Sequence, residues 1–424
     1  MKTLKLVFKN KELLKKIAFV LGAFLLYRVA VFIPIPMISV PEELFNNELL
    51  GFLNAFTGGA LENLSVISLG VGPYITASIV VQILQTDLVP VLTEWSEQGE
   101  AGKQKTNQLT RYLAIALAFI QALAITIGID SLSVGVSPTP IVFVYLAIII
   151  TAGTSFLLWL GDQITVKGVG NGVSMIIAAG IISSLPATFI TLWALYITPL
   201  SANFSTYVSF MIVVVLYIGI LLGIIFMQAV DRKVPIQYAN RSAQSKLSGK
   251  HDSNIPIKLN SAGVISVIFA ITILSLPLTI VQFANVSGPV ATWLTEIFSS
   301  SRPIGFTLYI FLIFVFTFFY SFLQVNPEKV ATNLSNQNAY IPGVRPGNDT
   351  EVYFSKILFK VTLLGAVYLS FVAVVPILTA WAFDLPPTVT VGGTSLLIVV
   401  GVAVETFKQI TTEANKQEYK GFIR

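Results

Sequence analysis

The amino-acid sequence predicts an all-α, polytopic membrane protein whose ten transmembrane helices form two inverted five-helix halves around a central pore. Hydrophobic residues make up 54% of the 424 residues and charged residues only 11%, whereas a soluble globular protein carries about 25% charged residues. Ten apolar segments approach the roughly 20 residues that a helix needs to cross a bilayer. A further stretch, residues 59–70, is too short to cross and carries Glu62 and Asn63. Since irregular backbone at membrane depth must face protein or water, this stretch indicates an enclosed path.

The ten predicted spans are separated by polar segments or by segments rich in proline and glycine. They are residues 17–33, 73–92, 109–129, 141–160, 172–196, 207–230, 262–283, 304–325, 357–380 and 395–410. The first span is as long as a membrane helix and has no small-residue cleavage site, so we expect it to be retained and not removed as a signal peptide.

The basic residues predict the orientation of the spans. All of the 26 lysines and arginines except Arg28 and Arg302 fall on one side, which we call the basic side. The positive-inside rule places that side, and both chain termini, in the cytoplasm. Five spans precede the linker near Pro199 and five follow it, so the halves 1–200 and 201–424 must have opposite orientations. The net charge of +5 therefore reflects membrane orientation and does not predict sequence-specific nucleic-acid binding.

The residue content argues against several classes of site. The chain has no cysteine and a single histidine, His251, in a polar segment, which excludes disulfides and a histidine-rich metal site. We expect no cofactor and no catalytic centre. A secondary transporter of small solutes is the main alternative, but it would need convergent polar or charged groups at mid-membrane, and an ion-coupled one typically has buried carboxylates there. Asp87, Asp162 and Glu405 lie near span ends, where structural pairing or solvation is the expected role.

Three segments carry polar residues that the spans do not explain. In the second span, Thr76, Ser78, Gln82 and Gln85 form a mildly polar face. This face is equally typical of a helix that meets water or a peptide and of interhelical hydrogen bonding. Two long segments on the basic side, residues 229–258 and 326–356, predict a docking surface. We expect the first to extend as a strand or hairpin and the second to form a rigid turn.

Seven motifs, in order and spacing, make the chain resemble the SecY family over nearly its whole length. They are FIPIP at 32–36, GVGPYITASI at 70–79, WLGDQIT at 159–165, GVGNG at 168–172, PIQYA at 235–239, NPE at 326–328 and IPGVRPG at 341–347. The resemblance implies a bacterial protein-conducting channel in the cytoplasmic membrane. Such a channel moves unfolded secretory polypeptides across the membrane and releases transmembrane segments sideways into lipid. An accessory paralogue for specialised export remains an alternative, although both basic-side segments are full-length.

The resemblance also implies roles for individual residues. A ring of aliphatic side chains would seal the pore: Ile75, Ile79, Val173, Ile177, Ile268 and Ile398. A short plug helix, about residues 58–69, would include Gly58, Gly59, Leu61, Glu62, Asn63, Leu64 and Ile67. The second and seventh spans, with the third and eighth, would form a lateral gate containing Thr76, Ser78, Gln82, Gln85, Ser266 and Thr272.

The partners that the resemblance implies are SecE, SecG, the motor SecA, the ribosome, signal peptides, nascent chains and membrane lipid. The docking residues for SecA and the ribosome would be Arg232, Lys233 and Arg241 in the first basic-side segment and Arg345 in the second.

Overall fold

A computed structural model describes residues 10–35, 54, 57–86, 89–128, 140–198, 204–238, 253–263, 265–283, 288–300, 302–383, 385 and 387–420. The predicted docking residue Arg241 and the acidic residue Asp87 lie outside these ranges.

Six helices lie in the described part of the N-terminal half. They are α1 (Lys11–Val31), α2 (Gly72–Leu84), α3 (Pro90–Glu97), α4 (Glu100–Gly128), α5 (Pro140–Lys167) and α6 (Gly172–Tyr196). Asparagine side chains begin two of them, because an N-cap oxygen satisfies backbone N–H groups that have no helical partner. Asn10 accepts from the N–H groups of Glu12 and Leu13, and Asn171 accepts from those of Val173 and Ser174.

Across its described residues, the C-terminal half has seven helices and three strands. The helices are α7 (Phe204–Ala229), α8 (Ile265–Phe283), α9 (Pro289–Phe298), α10 (Pro303–Gln324), α11 (Pro327–Asn336), α12 (Asn348–Phe383) and α13 (Pro387–Lys420). The strands are β1 (Asp231–Tyr238), β2 (Ser253–Lys258) and β3 (Ala339–Tyr340).

Each of the ten predicted spans contains a helix within the described residues. Seven of the described helical segments are long and apolar enough to cross a membrane, and α2 and α8 supply shorter apolar segments. The largest difference is in the second span, where α2 ends at Leu84 and a separate α3 begins at Pro90. Val89 is extended, as expected for a residue before proline. This extended residue separates α3 from α2, so the two do not form one continuous helix. In addition, α12 begins at Asn348, well before the predicted residue 357.

The two basic-side segments join in one three-stranded antiparallel sheet with the order β2-β1-β3. Asp231 pairs with Lys258 and Ile236 with Ser253, and Gln237 pairs with Tyr340 across the other edge of β1. Val234, Ile236 and Ile257 bury their side chains against Phe354 and Leu358 of α12. The predicted strand in the first segment is therefore present, and it links the two segments into one small body.

The two halves make contact along two very different seams. On one side, α13 packs extensively on α6, with further contact to α1. Lys16 of α1 and Glu413 of α13 also form an ion pair between the halves. On the other side, α2 and α4 meet α8 over only a few residues, although α2 packs closely on α4 and α8 packs closely on α10. The halves therefore share one broad seam and one thin seam.

The broad core of the N-terminal half depends on close backbone approach at glycine. A Cβ added at Gly172 would lie 1.8 Å from the carbonyl oxygen of Gly161, so α5 and α6 pack where no side chain fits. We expect Gly172→Ala to destabilise the chain by about 1–3 kcal/mol, the usual cost of overpacking. The midpoint of heat-induced unfolding in mild detergent measures this effect.

Gly22→Ala is the matched control, because a Cβ at Gly22 in α1 meets no atom within 4 Å. Alanine is the better helix former, so this variant should unfold at the same temperature or higher. Equal losses in the two variants would contradict the packing explanation.

Candidate functional site

Residues 57–71, just before α2, form a series of consecutive turns, which corrects the prediction of a short helix at residues 58–69. Its backbone hydrogen bonds join residues at different separations along the chain. Ala60 N donates to Thr57 O, three residues earlier, and Ser65 N donates to Ala60 O, five residues earlier. Positive φ values occur at Gly58 (65°), Gly59 (88°), Leu64 (39°) and Gly70 (58°). A right-handed helix cannot include residues in this conformation, so the segment folds back on itself. We call residues 57–71 the plug segment.

The plug segment has a buried side and an exposed side. Gly58, Leu61, Leu64 and Ile67 are buried, Gly59 is partly buried, and Glu62 and Asn63 are exposed. The exposed side chains are held locally, because Glu62 accepts from Asn54 Nδ2 at 2.9 Å and Asn63 donates to Gly59 O at 3.0 Å. This arrangement suits a segment that covers an apolar core with one side and meets water with the other.

The plug segment is attached to the end of α1 and to α5. Ile35 N donates to Leu64 O at 2.9 Å and Val66 N donates to Ile33 O at 3.1 Å, which forms an antiparallel bridge between Pro34 and Ser65. A Cβ at Gly153 of α5 would lie 1.9 Å from the carbonyl oxygen of Val66. The segment therefore has a defined position against the N-terminal half.

Five of the six predicted ring residues share one apolar cluster with the plug segment. Ile177 and Ile398 are buried members of this cluster, together with Ala60 and Ile67 of the plug segment. Ile75, Val173 and Ile268 pack against the same cluster and are partly buried. These five side chains come from α2, α6, α8 and α13, so both halves contribute.

Ile79 belongs mainly to the neighbouring cluster of the C-terminal half. It is 4% exposed and packs with residues of α8, α10 and α12 such as Ala270, Ile313 and Leu369. Ile75, one helical turn earlier, contacts both clusters. The structure thus brings Ile79 to the thin seam between α2 and α8, beside the five other side chains.

The polar residues of the predicted lateral gate make hydrogen bonds within their own helix or its neighbour. Gln85 Nε2 donates to Thr106 Oγ1 of α4 at 2.9 Å, and Gln82 Nε2 donates to Ser78 Oγ at 2.8 Å. Thr76 and Thr272 donate to carbonyl oxygens one turn earlier, at Gly72 and Ile268, and Ser266 donates to Gly263 O. None of these hydrogen bonds joins α2 to α8 in the described part of the chain. Interhelical bonding therefore explains Gln85 but not the polar face as a whole.

The described docking candidates are exposed on the three-stranded sheet and the turn that follows it. Arg232 and Lys233 lie on β1, and Arg345 lies between two glycines with positive φ, Gly343 (83°) and Gly347 (101°). The Arg345 carbonyl accepts from Thr350 Oγ1 at 2.8 Å, which fixes the turn to the start of α12. The structure brings these three basic residues onto one small body.

A model of the SecY family matches residues 65–407, which include α2 to α12, the sheet and most of α13. The chain belongs to the SecY family. It is 44% identical to the protein translocase subunit SecY of Halalkalibacterium halodurans, covering 100% of both chains. It is also 44% identical to that of Staphylococcus carnosus, covering 98% of this chain and 97% of the relative. Identity to the Bacillus subtilis SecY subunit is 41%, covering 100% of this chain and 99% of the relative.

Solved structures of protein-conducting channels share the SecY fold seen here. One such channel superposes with a TM-score of 0.65 at 17% identity, covering 95% of this chain and 92% of the other. Sec61 from a canine ribosome–channel complex superposes with a TM-score of 0.62 at 17% identity, with the same coverage. The predicted SecY resemblance and fold class are confirmed. Family and fold together make the chain a protein-conducting channel that crosses the membrane several times.

Two residues of α1 contact the plug segment although neither is among the site residues predicted from the sequence. They are Tyr27 and Arg28, and in the sequence Arg28 is only an exception to the charge distribution. Tyr27 Oη donates to Thr57 O and Arg28 donates to Gly58 O. A charged residue inside a span is a functional candidate by default, so the sequence alone is sufficient to make Arg28 a candidate site residue. The expected structural pairing of Asp162 is present, since Arg111 Nη2 lies 2.8 Å from Asp162 Oδ2.

Proposed function

We propose that this SecY-family chain is the channel of a bacterial translocase, and that it moves unfolded secretory polypeptides across the cytoplasmic membrane with both termini in the cytoplasm. The observation that carries the proposal is the shared apolar cluster of the plug segment and five ring residues. These side chains come from both halves, so a path between the halves would pass through them. We assign the ring to Ile75, Ile79, Val173, Ile177, Ile268 and Ile398.

The ring closes the path by excluding water. A narrow constriction lined only by aliphatic side chains dewets, and ions cannot cross it because they would lose their hydration. Val173 is one methylene smaller than the isoleucines around it, and the flexible chains on four helices can close around a passing polypeptide. The plug segment covers the ring with Ala60 and Ile67, while Glu62 and Asn63 face the aqueous side.

The thin seam between α2, α4 and α8 is the proposed lateral gate. Few contacts cross it, so separating the helices exposes little packed surface. Gln82 Oε1 is buried there and has no hydrogen-bond partner in the described part of the chain. An unpaired polar atom destabilises the closed seam relative to a state in which water or a peptide reaches it. Signal peptides and transmembrane segments would leave through this seam into lipid.

The proposed partners follow from the exposed basic residues of the sheet and its neighbouring turn, and from membership of the SecY family. SecA and the ribosome would dock on the sheet that carries Arg232 and Lys233 and on the following turn that carries Arg345, with Arg241 in the first basic-side segment. These basic side chains suit acidic protein surfaces or RNA phosphates without reading a nucleotide sequence. SecE and SecG would complete the membrane complex. Energy would come from SecA or from ribosomal elongation, so the proposal assigns no catalytic step to this chain.

Reconstitution tests the proposal directly. Proteoliposomes that contain this chain with its SecE-like and SecG-like subunits should import an unfolded precursor when the motor and ATP are added. Arg345→Glu should reduce this motor-driven import about tenfold or more, because charge reversal of a docking arginine replaces attraction with repulsion. Ribosome-dependent membrane insertion should fall less.

Arg302→Glu is the matched control, since it reverses the same charge on an exposed arginine at the opposite side. Import in the Arg302→Glu complex should match the unmodified complex. Equal losses in both assays, or in both variants, would contradict the docking role of Arg345. Failure of the unmodified complex to import any precursor would contradict the channel itself.

A further inference from the structure

Two consecutive side chains of α1 hold two consecutive carbonyl groups of the plug segment. Tyr27 Oη donates to the carbonyl oxygen of Thr57 at 2.7 Å. Arg28 Nη1 donates to the carbonyl oxygen of Gly58 at 3.1 Å. Both acceptors lie where the plug segment begins, and both donors lie in the last helical turns of α1.

The surroundings make these two hydrogen bonds specific. Tyr27 is 2% exposed, so its hydroxyl cannot exchange the Thr57 carbonyl for bulk water. The Arg28 guanidinium carbon lies 4.6 Å from the centre of the Phe32 ring, which orients the charged group toward Gly58. Gly58 itself sits against α6, since a Cβ there would lie 2.9 Å from Gly180 Cα and 3.2 Å from Tyr27 Oη. The first residues of the plug segment are therefore held between α1 and α6.

The middle of the plug segment is attached differently. There the hydrogen bonds run from backbone to backbone, between residues 33–35 and residues 64–66. In the described part of the chain, α1 holds the Thr57–Gly58 end through hydrogen bonds from side chains, so the strength of these bonds depends on residue identity and can change without altering the backbone.

We propose that Tyr27 and Arg28 are positioning residues that act as a latch, holding the plug segment in its closed position and releasing it when the segment is displaced. This inference rests on the proposed role of the segment as the plug. In the closed state the two donors satisfy two carbonyls. Displacement moves these carbonyls into water, so the latch bonds contribute to the closed state alone.

The test compares single-residue variants in planar bilayers without precursor. Tyr27→Phe removes one hydroxyl and keeps the ring, and loss of one buried hydrogen bond should raise the resting ion conductance about fivefold. Arg28→Gln should raise it by a similar or larger factor. Tyr112→Phe is the matched control, because Tyr112 of α4 is 71% exposed, and its conductance should not change.

A disulfide separates latch loss from general damage to the fold. Pro34 and Ser65 are bridge partners in an antiparallel pair, whose Cα atoms lie within the range that a disulfide spans. The chain has no other cysteine to interfere. In Tyr27→Phe combined with Pro34→Cys and Ser65→Cys, oxidation should restore low conductance and a reductant should raise it again. A leak that oxidation leaves unchanged would overturn the latch.

Deletion of residues 60–65 distinguishes the latch from the plug assignment. If this deletion raises the conductance while Tyr27→Phe and Arg28→Gln do not, the latch is wrong and the plug assignment stands. If the deletion has no effect, the plug assignment itself is wrong.

Discussion

Serine at two buried ring positions, Ile177→Ser with Ile398→Ser, should raise the resting ion conductance by more than tenfold. The two isoleucines are 4% and 2% exposed in the cluster that joins the halves. Each substitution removes about three carbons and adds a hydroxyl, which reduces the hydrophobic contribution by about 0.8 kcal/mol per methylene. The combined loss of several kcal/mol favours a hydrated constriction, and hydration allows ions to pass. Single-channel recording in planar bilayers measures the conductance.

Ile182→Ser controls for the chemical change, because Ile182 lies in α6 one to two turns from Ile177 and is 50% exposed. We expect this variant to retain the low resting conductance. Ile79→Ser should have an intermediate effect, since Ile79 packs mainly with the C-terminal half. Unchanged conductance in the Ile177 and Ile398 double variant would show that the seal lies elsewhere.

The oxidised disulfide between Pro34→Cys and Ser65→Cys should stop precursor import almost completely. The plug segment packs in the same cluster as the proposed ring, so we expect a polypeptide to pass only after the segment leaves. A covalent link to residue 34 holds residue 65 beside the end of α1 and prevents this movement. We expect motor-driven import to fall at least tenfold on oxidation and to recover with a reductant.

The two single-cysteine variants provide the controls, and neither should respond to oxidant or reductant. Normal import through the fully oxidised double variant would mean that a polypeptide passes while residues 34 and 65 remain linked. Displacement of the plug segment would then be refuted as a step of translocation.

Local signals predicted the membrane helices well. The bounds of α6, Gly172–Tyr196, agree with the prediction because an asparagine cap and an apolar run define the helix within its own sequence. The predicted end of the second span, residue 92, is too late, because α2 ends at Leu84 and Pro90 begins a separate helix. The sequence predicts a helix for the plug segment, although glycines such as Gly58, Gly59 and Gly70 favour turns. The positive φ of Leu64, however, has no signal in residue type and depends on the bonds to residues 33–35.

Individual site residues were less predictable. The side chains of Ile75 and Ile79 are chemically the same and one turn apart, but they pack mainly in different clusters because the helices that face them differ. Tyr27 resembles any other tyrosine of a membrane helix until its hydroxyl is seen beside Thr57 O. The pairing of β1 with β3 joins segments about 100 residues apart, so no local pattern could predict it.

By itself, the sequence determined that this chain crosses the membrane in ten helices and which side carries the basic residues. The hydrophobicity of each segment decides whether it enters the bilayer, and the basic residues beside it decide its orientation, so both are local properties. The family also followed from short motifs in order. Only the tertiary structure decided which aliphatic side chains meet the plug segment, that Tyr27 and Arg28 hold its first carbonyls, and that the two basic-side segments share a sheet. These features are contacts between distant segments, and they depend on how whole helices pack against one another.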